Sequence, residues 1–313
     1  MTSQLVDTEI AALADRAISG DQRAIGRLIS LVENGGGEVR QVAAALPAPD
    51  RPARVIGLTG SPGVGKSTTT TALVTGYRKE GLRVAVLAVD PSSPFTGGAI
   101  LGDRVRMQEH ATDPDVFIRS MSSRGHLGGL AAATPQVVRV LEACGFDVIL
   151  IETVGVGQAE VEIAGLADTT LVLLAPGMGD GIQAVKAGIL EVADVFVINK
   201  SDRDGADATY RDIRSMMALI TRDANEWRQP IVKTVAHRGE GIVDVIAAVD
   251  KHRDWLAEHG ELDRRRRERA KAEVTAIVLG ALARRFAVTE DVAARVAAGE
   301  IDPYGAAEEV LSR

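Results

Sequence analysis

The residues best suited to chemistry form a glycine-rich segment, GSPGVGKS, that runs from Gly60 to Ser67. The spacing GxxxxGK[ST] between a strand and a helix is typical of a phosphate-binding loop. Its glycines let backbone amides turn inward around a β-phosphate, while Lys66 supplies a positive charge and Ser67 offers a hydroxyl to Mg²⁺. The segment therefore predicts a nucleoside triphosphate site. The nucleotide-binding residues predicted here are Gly60, Ser61, Pro62, Gly63, Val64, Gly65, Lys66, Ser67 and Thr68.

Three carboxylates are candidates for the magnesium site beside this loop. Asp90 follows the second predicted strand, Glu152 follows the fourth, and Asp103 lies between them in GGAILGDRVRM. Open parallel sheets bind ligands at the carboxyl ends of their strands, where Asp90 and Glu152 stand. A carboxylate in such a position can also serve only as a helix cap or in a surface turn. With the hydroxyl of Ser67, these three residues are the predicted metal ligands.

The residues after Glu152 are candidates for action at the γ-phosphate. Gly155 can present its backbone amide there, as the glycine of a switch loop does. Gln158 follows closely and could either position the attacking water or begin a helix. The working hypothesis is in-line attack of water, with Lys66, Mg²⁺ and Gly155 stabilising the spreading charge. Since no arginine is evidently placed as a finger, we expect slow turnover that a partner accelerates.

The choice of base is predicted by a second motif, NKSD, at the end of the strand VFVINK. Asp202 can accept hydrogen bonds from guanine N1–H and from its exocyclic amine, whereas adenine offers an acceptor at N1 and would be rejected. Asn199 can brace the loops, and the stem of Lys200 can cover the base plane. The next strand ends before Ala236, whose amide could contact guanine O6. The predicted substrate is therefore GTP, with GDP as product.

Seven short apolar runs supply the elements that position these motifs. They read VIGLT, RVAVLAV, VFIRS, DVILIE, TLVLLA, VFVINK and PIVKTV, and helical stretches alternate with them. Continuous rather than alternating apolarity is typical of strands covered on both faces. The sequence therefore predicts an α/β fold with a doubly wound, mostly parallel sheet of about seven strands, the fold of P-loop nucleotide hydrolases.

Helical segments flank this predicted sheet. Residues 1–52 read as an N-terminal helical arm, residues 53–255 as the nucleotide-binding domain, and residues 256–313 as a C-terminal helical extension. The extension carries an apolar stripe that self-association would bury. Its run Arg264 to Arg267 is interpreted as a solvated face rather than a nucleic-acid site, because acidic residues flank it and no aromatic platform accompanies it.

Composition excludes several classes of protein. The chain of 313 residues has a formal net charge of −7, which argues against a general nucleic-acid binder. The single cysteine, Cys144, cannot form an internal disulfide and reads as a small buried residue. No secretory signal is visible, and the longest apolar runs are too short to cross a bilayer, so we expect no membrane association and a cytoplasmic location.

Taken together, the motifs resemble the MeaB/ArgK family of P-loop GTPases. The resemblance covers nearly the whole chain and rests on GSPGVGKST, AVDPSSPFTGGAILGDRVRM, ETVGVGQAE, PGMGDGIQAVKAGI, NKSD and DPYGAA. It implies a chaperone of adenosylcobalamin-dependent acyl-CoA mutases whose GTP hydrolysis gates cofactor loading and protects methylmalonyl-CoA mutase from inactivation. It also implies a homodimer held by the C-terminal helices.

The resemblance assigns roles to individual residues as well. Asp90, Asp103 and Glu152 look like the acidic groups around magnesium. Gly177 to Lys186 resembles a third switch that rearranges when the mutase binds, and Lys186 is then a candidate for stimulated hydrolysis. Without the resemblance, Lys186 reads as a solvated helix lysine.

Two other functions share some of these features. A P-loop kinase of the amino-acid-transport type would prefer ATP and phosphorylate an acceptor, but no acceptor pocket with a general base is evident in the sequence. A nickel-insertion GTPase usually presents clustered Cys or His, whereas the five histidines here are scattered.

Overall fold

The computed structural model describes residues 2–49, 51–90, 110, 112–122, 133–153, 159–177, 192–219 and 225–312. Contacts divide the chain into two compact units, Met1–Arg266 and Arg267–Arg313. The strands are β1 Arg54–Thr59, β2 Val84–Asp90, β3 Val116–Ser122, β4 Val148–Thr153, β5 Thr169–Leu174, β6 Val195–Ile198 and β7 Ile231–Lys233. The helices are α1 Thr2–Ile18, α2 Gln22–Asn34, α3 Glu38–Ala45, α4 Lys66–Lys79, α5 Thr134–Ala143, α6 Ala159–Leu166, α7 Ala206–Ala218, α8 Ile242–Glu258, α9 Glu261–Arg285, α10 Glu290–Ala297 and α11 Pro303–Leu311.

The seven strands form one sheet in the order β3-β2-β4-β1-β5-β6-β7, and every pairing is parallel. This arrangement confirms the predicted doubly wound α/β fold and all seven predicted strands. Because β1 lies between β4 and β5, the loop that follows β1 opens at the centre of the sheet's carboxyl edge. Glu152, near the end of β4, is paired in register with Leu58 of β1.

Continuous apolar strands are explained by helices on both faces of the sheet. Neighbouring residues of one strand enter different cores: Val55 and Ile149 pack with α1, α2, α5 and α6, whereas Ile56 and Leu150 pack with α4 and α8. Since side chains alternate across a strand, a strand buried on both faces must be apolar at every position.

The second helix is capped by the residue that precedes it, and it packs on the sheet. Asp21 caps α2 by accepting from the backbone amides of Arg23 and Ala24, and Gly35 follows its last residue at φ 70°. Arg119 of β3 donates to Ser30 Oγ at 2.9 Å and forms an ion pair with Glu33. These contacts fasten α2 to the β3 edge of the sheet.

The arginine run at the start of α9 differs from the sequence interpretation. Arg264 and Arg267 are exposed, and Arg264 forms an ion pair with Glu261. Arg265 instead donates to both carboxylate oxygens of Asp194, at 3.0 and 2.9 Å, and Arg266 lies 3.2 Å from Asp168. The interpretation as a solvated face was therefore wrong for Arg265 and Arg266. Their acidic partners come from residues about seventy and one hundred positions earlier, which local flanking charges cannot reveal.

The second unit consists of the remainder of α9 with α10 and α11. Thr289 caps α10 and Asp302 caps α11, whose first residue is Pro303. A small core joins the two short helices, while five apolar side chains of α9 are 44–60% exposed. These exposed residues of α9 are Val274, Ile277, Val278, Leu279 and Leu282. None of the helices in the described ranges combines the length and hydropathy that a bilayer crossing needs.

Candidate nucleotide-binding site

The glycine-rich loop joins the end of β1 to the start of α4 at the centre of the sheet. Gly60, Gly63 and Gly65 have φ of 139°, 81° and 98°, a region that residues with a Cβ rarely adopt. A Cβ on Gly60 would lie 2.3 Å from the Leu173 carbonyl oxygen, and one on Gly65 would lie 2.4 Å from Asn199 Nδ2. At Gly60 and Gly65, both the positive φ and the close neighbouring atoms therefore exclude a residue with a Cβ.

The side chain of Lys66 is folded back along the loop. It is buried, and its Nζ donates to the carbonyl oxygens of Gly60 at 2.5 Å and Ser61 at 3.2 Å. The positive charge is thus held beside backbone amides at the amino end of α4, which itself attracts anions. Ser61 is half-buried, whereas Pro62 and Thr68 are exposed at the rim.

A buried carboxylate faces the first turn of α4. Glu152 is only 4% exposed, and its Oε1 accepts from Ser67 Oγ at 2.6 Å. Its Oε2 accepts from Thr70 Oγ1 at 2.9 Å. The structure therefore brings together the predicted residues Ser67 and Glu152, and it adds Thr70, which sequence reasoning missed. The only signal for Thr70 was its position one helical turn after Lys66 and Ser67, among four consecutive threonines.

Several predicted residues lie outside the described part of the chain. These are Asp103, Gly155, Gln158 and Lys186, together with the side chain of Asp90. Among the residues that the structure describes, no group of three His, Cys, Asp or Glu side chains could hold a metal ion. The oxygen donors that it does describe, the Ser67 hydroxyl and the Glu152 carboxylate, are of the hard type that Mg²⁺ prefers.

Asn199 connects the predicted base site to the phosphate loop. Its Nδ2 donates to the Val64 carbonyl oxygen at 2.9 Å. Its Oδ1 accepts from Thr234 Oγ1 at 3.2 Å and from the Ala236 amide at 3.1 Å. One buried side chain thus holds three segments: the glycine-rich loop, the end of β6 and the turn after β7. In this structure the Ala236 amide donates to Asn199 Oδ1. It could contact a base only by sharing its hydrogen between Asn199 and that base.

Lys200 and Asp202 line the open side of the same site. Lys200 has φ 57°, the only positive φ outside glycine among the described residues, and its Nζ donates to the Gly63 carbonyl oxygen at 2.6 Å. The Asp202 side chain is 31% exposed and lies 3.6 Å from the Arg238 guanidinium. Arg238 belongs to the turn Ala236–Arg238 and was not singled out from the sequence.

Another buried polar cluster lies at the amino ends of β5 and β6, the edge opposite the nucleotide site. His252 of α8 is fully buried, with Nδ1 2.9 Å from Thr169 Oγ1 and Nε2 3.3 Å from Asp194 Oδ1. Burial lowers the pKa of His252 to about 4, although the nearby Asp194 opposes that shift. Trp227 and Trp255 pack around the ring.

Comparison with known proteins identifies the family. Residues 25–291 match the family profile described as "Methylmalonyl Co-A mutase-associated GTPase MeaB". The chain belongs to the MeaB family. The resemblance inferred from the motifs is therefore confirmed.

Individual relatives agree with this assignment to the MeaB family. A protein of Pyrococcus abyssi named as a GTPase is 47% identical over 310 residues, which cover 96% of each chain. The GTPase ArgK of Escherichia coli is 41% identical over 218 residues, 69% of this chain and 66% of that protein. A crystal structure of an LAO/AO transport system kinase superposes with a TM-score of 0.70 at 25% identity and covers 97% of both chains.

Membership of the MeaB family, together with the glycine-rich loop in its strand–loop–helix setting, makes the chain a P-loop GTPase. It binds GTP and GDP and hydrolyses GTP. The loop of residues 60–67 is held by Lys66, and Asn199 ties it to the NKSD segment.

Proposed function

We propose that this MeaB-family GTPase serves an adenosylcobalamin-dependent acyl-CoA mutase, namely methylmalonyl-CoA mutase. In this role, GTP binding and hydrolysis gate the loading of the cofactor and protect the mutase from inactivation. Two names support the proposal. The family profile is described as mutase-associated, and a mitochondrial methylmalonic aciduria type A homologue of Caenorhabditis elegans is 37% identical over 220 residues, 69% of this chain and 55% of that protein.

The observation that carries the mechanism is the 2.6 Å hydrogen bond between Ser67 and Glu152. It joins the phosphate loop to the end of β4, where the segment ETVGVGQAE begins. A change in the phosphates bound beside Ser67 can therefore move the segment after Glu152 through the Glu152 side chain. Gly155 and Gln158 of that segment are proposed to act on the γ-phosphate and on the attacking water.

The phosphates are proposed to be bound by the chain's own charges and dipoles. Lys66, whose Nζ lies against the Gly60 and Ser61 carbonyls, is proposed to bind the β- and γ-phosphate oxygens, and the amides of residues 60–67 are proposed to surround the β-phosphate. In this role they stabilise the charge that spreads over the γ-phosphate oxygens.

The residues fit a magnesium site. The Ser67 hydroxyl and the buried Glu152 carboxylate supply oxygen donors in contact with each other, and Asp90 and Asp103 are proposed to complete the set. When bound, Mg²⁺ would neutralise part of the phosphate charge. The role of this chain is to hold the oxygen atoms of Ser67 and Glu152 in place.

Guanine is proposed to be selected by Asp202. Its carboxylate can accept from N1–H and from the exocyclic amine, while the Lys200 stem covers the base plane. The bond from Lys200 Nζ to the Gly63 carbonyl supports this, because it stretches the lysine stem across the side of the site next to the phosphate loop. Ala236 is proposed to share its amide with guanine O6.

The exposed apolar residues of α9 support a homodimer held by the C-terminal helices. Leu279 and Val274 are 60% and 58% exposed, in a helix with no buried residue among those described. We propose that residues 256–313 form this dimerisation extension, residues 1–52 the helical arm and residues 53–255 the GTPase domain. The proposed location is the cytoplasm, and Lys186 is proposed to act when the mutase binds.

The experiment that tests the mutase role measures protection of a purified methylmalonyl-CoA mutase during turnover. The mutase is assayed alone, with this protein and GTP, and with the Lys66→Ala variant and GTP. We expect the wild-type protein to slow inactivation and the variant to have no effect, because the variant lacks the phosphate-binding ammonium. Equal inactivation with and without the wild-type protein would overturn the mutase assignment but leave the GTPase assignment untouched.

A kinase is the second candidate, because the superposing crystal structure is named as a transport system kinase. It predicts preference for ATP and transfer of phosphate to an acceptor, whereas a GTPase releases inorganic phosphate from GTP. Comparing phosphate release from GTP and ATP separates the two. The nickel-insertion alternative finds no support among the described residues, which contain no cluster of three His, Cys, Asp or Glu side chains. Cys144 is buried, and that burial raises the pKa of its thiol to about 11.

A further inference from the structure

The carboxylate of Glu152 is held by two hydroxyl groups rather than one. Ser67 donates to Oε1 at 2.6 Å, and Thr70 donates to Oε2 at 2.9 Å. Thr70 is fully buried, and Glu152 is 4% exposed. Two donors on separate oxygens determine the rotation of the carboxylate plane as well as its position.

The Thr70 hydroxyl has two acceptors within reach, Glu152 Oε2 and the Lys66 carbonyl oxygen, and the carboxylate is the better one. The Lys66 carbonyl lies 3.1 Å away, but as a helical carbonyl it also accepts an amide hydrogen from the next turn. A hydroxyl has a single hydrogen, and a bond to an ionised carboxylate is stronger than one to a neutral carbonyl. The contact with Glu152, at 2.9 Å, is also the shorter of the two.

We infer that Thr70 is a positioning residue that orients Glu152 for the magnesium-dependent binding of nucleotide. The inference rests on the proposed function, in which Ser67 and Glu152 belong to the magnesium site. Ser67 has two tasks, as a donor to Glu152 and as a metal ligand. Among the described residues, the Thr70 hydroxyl has one other contact, with the backbone carbonyl of Lys66, so Glu152 is the side chain of the site that it binds.

Thr69 supplies a matched control in the same helix. It is also fully buried, and its hydroxyl donates to a carbonyl four residues earlier, that of Gly65, at 3.0 Å. That carbonyl keeps its backbone bond from the Thr69 amide when the hydroxyl is removed. Thr69→Val and Thr70→Val therefore remove the same atoms at the same burial, but only the second removes a bond to Glu152.

The test measures GDP affinity in excess Mg²⁺ and in EDTA for each variant of the full chain. We expect Thr70→Val to reduce the magnesium-dependent gain in affinity by about ten-fold while affinity in EDTA stays within about two-fold of wild type. Thr70→Ser should restore the gain because it keeps the hydroxyl, and Thr69→Val should leave it unchanged. In a Glu152→Gln background, Thr70→Val should have little further effect.

Three results would overturn the inference. The first is an unchanged magnesium-dependent gain in Thr70→Val, and the second is an equal reduction of that gain in Thr69→Val. The third is an equal loss of affinity with and without Mg²⁺ in Thr70→Val, which indicates only a damaged helix. If Thr70→Val does not fold, Thr70→Ala takes its place in the same comparison. A wild-type protein whose GDP affinity does not respond to Mg²⁺ would instead refute the proposed magnesium site.

Discussion

Asn199 Nδ2 donates a 2.9 Å hydrogen bond to the carbonyl oxygen of Val64, a residue 135 positions earlier in the chain. This bond joins the segment proposed to select the base to the loop that binds phosphates. Since Asn199 also accepts from Thr234 and Ala236, the two halves of the nucleotide site are built on one buried amide.

Replacing Asn199 should damage both stability and binding. Asn199→Ala leaves the Val64 carbonyl and the Ala236 amide without their partner, at about 1–3 kcal/mol for each buried group. We expect the free energy of unfolding to fall by about 2–4 kcal/mol and GDP affinity to fall at least ten-fold, as measured by denaturant unfolding and nucleotide titration. Asn199→Asp keeps the acceptor but turns a carboxylate toward the Val64 carbonyl. We therefore expect it to bind GDP no more tightly than Asn199→Ala does. Wild-type affinity in either variant contradicts this role.

Gly65 should not tolerate even a methyl group. The Cβ of Gly65→Ala would lie 2.4 Å from Asn199 Nδ2, and φ is 98°. We expect GDP affinity to fall by roughly 30-fold or more, since the amide that binds Val64 must move. Gly81→Ala is the control, because Gly81 has φ 79° but nothing within 4 Å of the added Cβ. It should cost about 1–2 kcal/mol of stability and leave GDP affinity unchanged; equal binding losses in both variants would implicate backbone conformation alone.

Asp202→Asn should change the preferred base. The carboxamide loses an acceptor that guanine needs but can donate to the C2 oxygen of xanthine. We expect GTP turnover to fall by roughly 100-fold at low substrate and xanthosine triphosphate turnover to rise. Asp204→Asn, two residues further on at an exposed position, is the control and should keep GTP preference. A variant at position 202 that still prefers GTP removes Asp202 from the base site.

His252 should make the protein less stable in mild acid. Its folded pKa of about 4 lies below the unfolded value of about 6.5, so only the unfolded state binds the proton between these values. Its contribution to stability is complete above pH 6.5 and is lost as the pH falls toward 4, by about 3 kcal/mol in all. Unfolding free energies across this range should show the slope.

The control for the pH prediction replaces histidines one at a time. His252→Asn should flatten the slope between pH 6.5 and 4 even if it lowers stability throughout. His259→Asn, at an exposed position, should leave the slope as it is in the wild-type protein. A slope that survives the loss of His252 must come from other groups.

The exposed apolar face of α9 should control self-association. Leu279→Glu puts a charge on a side chain that is 60% exposed in one chain and that the proposed dimer would bury. We expect the mass measured by light scattering to fall from two chains to one without loss of thermal stability of the GTPase domain. Val243→Glu on α8, where the side chain is 76% exposed, is the control and should remain dimeric. A monomeric wild-type protein would refute the proposed dimer.

Local sequence patterns were sufficient to predict the strands and the glycine-rich loop, and they also explain the helix caps. The run from Val148 to Glu152 is apolar up to its final carboxylate, which predicts both a buried strand and a ligand at its end. Asp21 and Asp302 directly precede helices and cap them by accepting from amides two and three residues later. In each case the physical cause lies within a few residues of the effect.

Contacts between distant segments could not be predicted in the same way. Thr70 looks like its neighbouring threonines, and only the register of β1 with β4 brings Glu152 to it. The charges of Arg265 and Arg266 are equally ambiguous, because their partners Asp194 and Asp168 lie in loops that only the folded sheet brings near. Such pairings depend on topology rather than on local composition.

The arginine pair at the start of α9 has a practical consequence for where the chain can be shortened. A boundary at residue 255, the predicted end of the nucleotide-binding domain, would separate Asp194 and Asp168 from the guanidinium groups that neutralise them. Both carboxylates are less than 10% exposed, so their charges would be left in a poorly hydrated environment. A truncated protein intended for crystallisation or nucleotide titration should therefore retain the chain at least through Arg266.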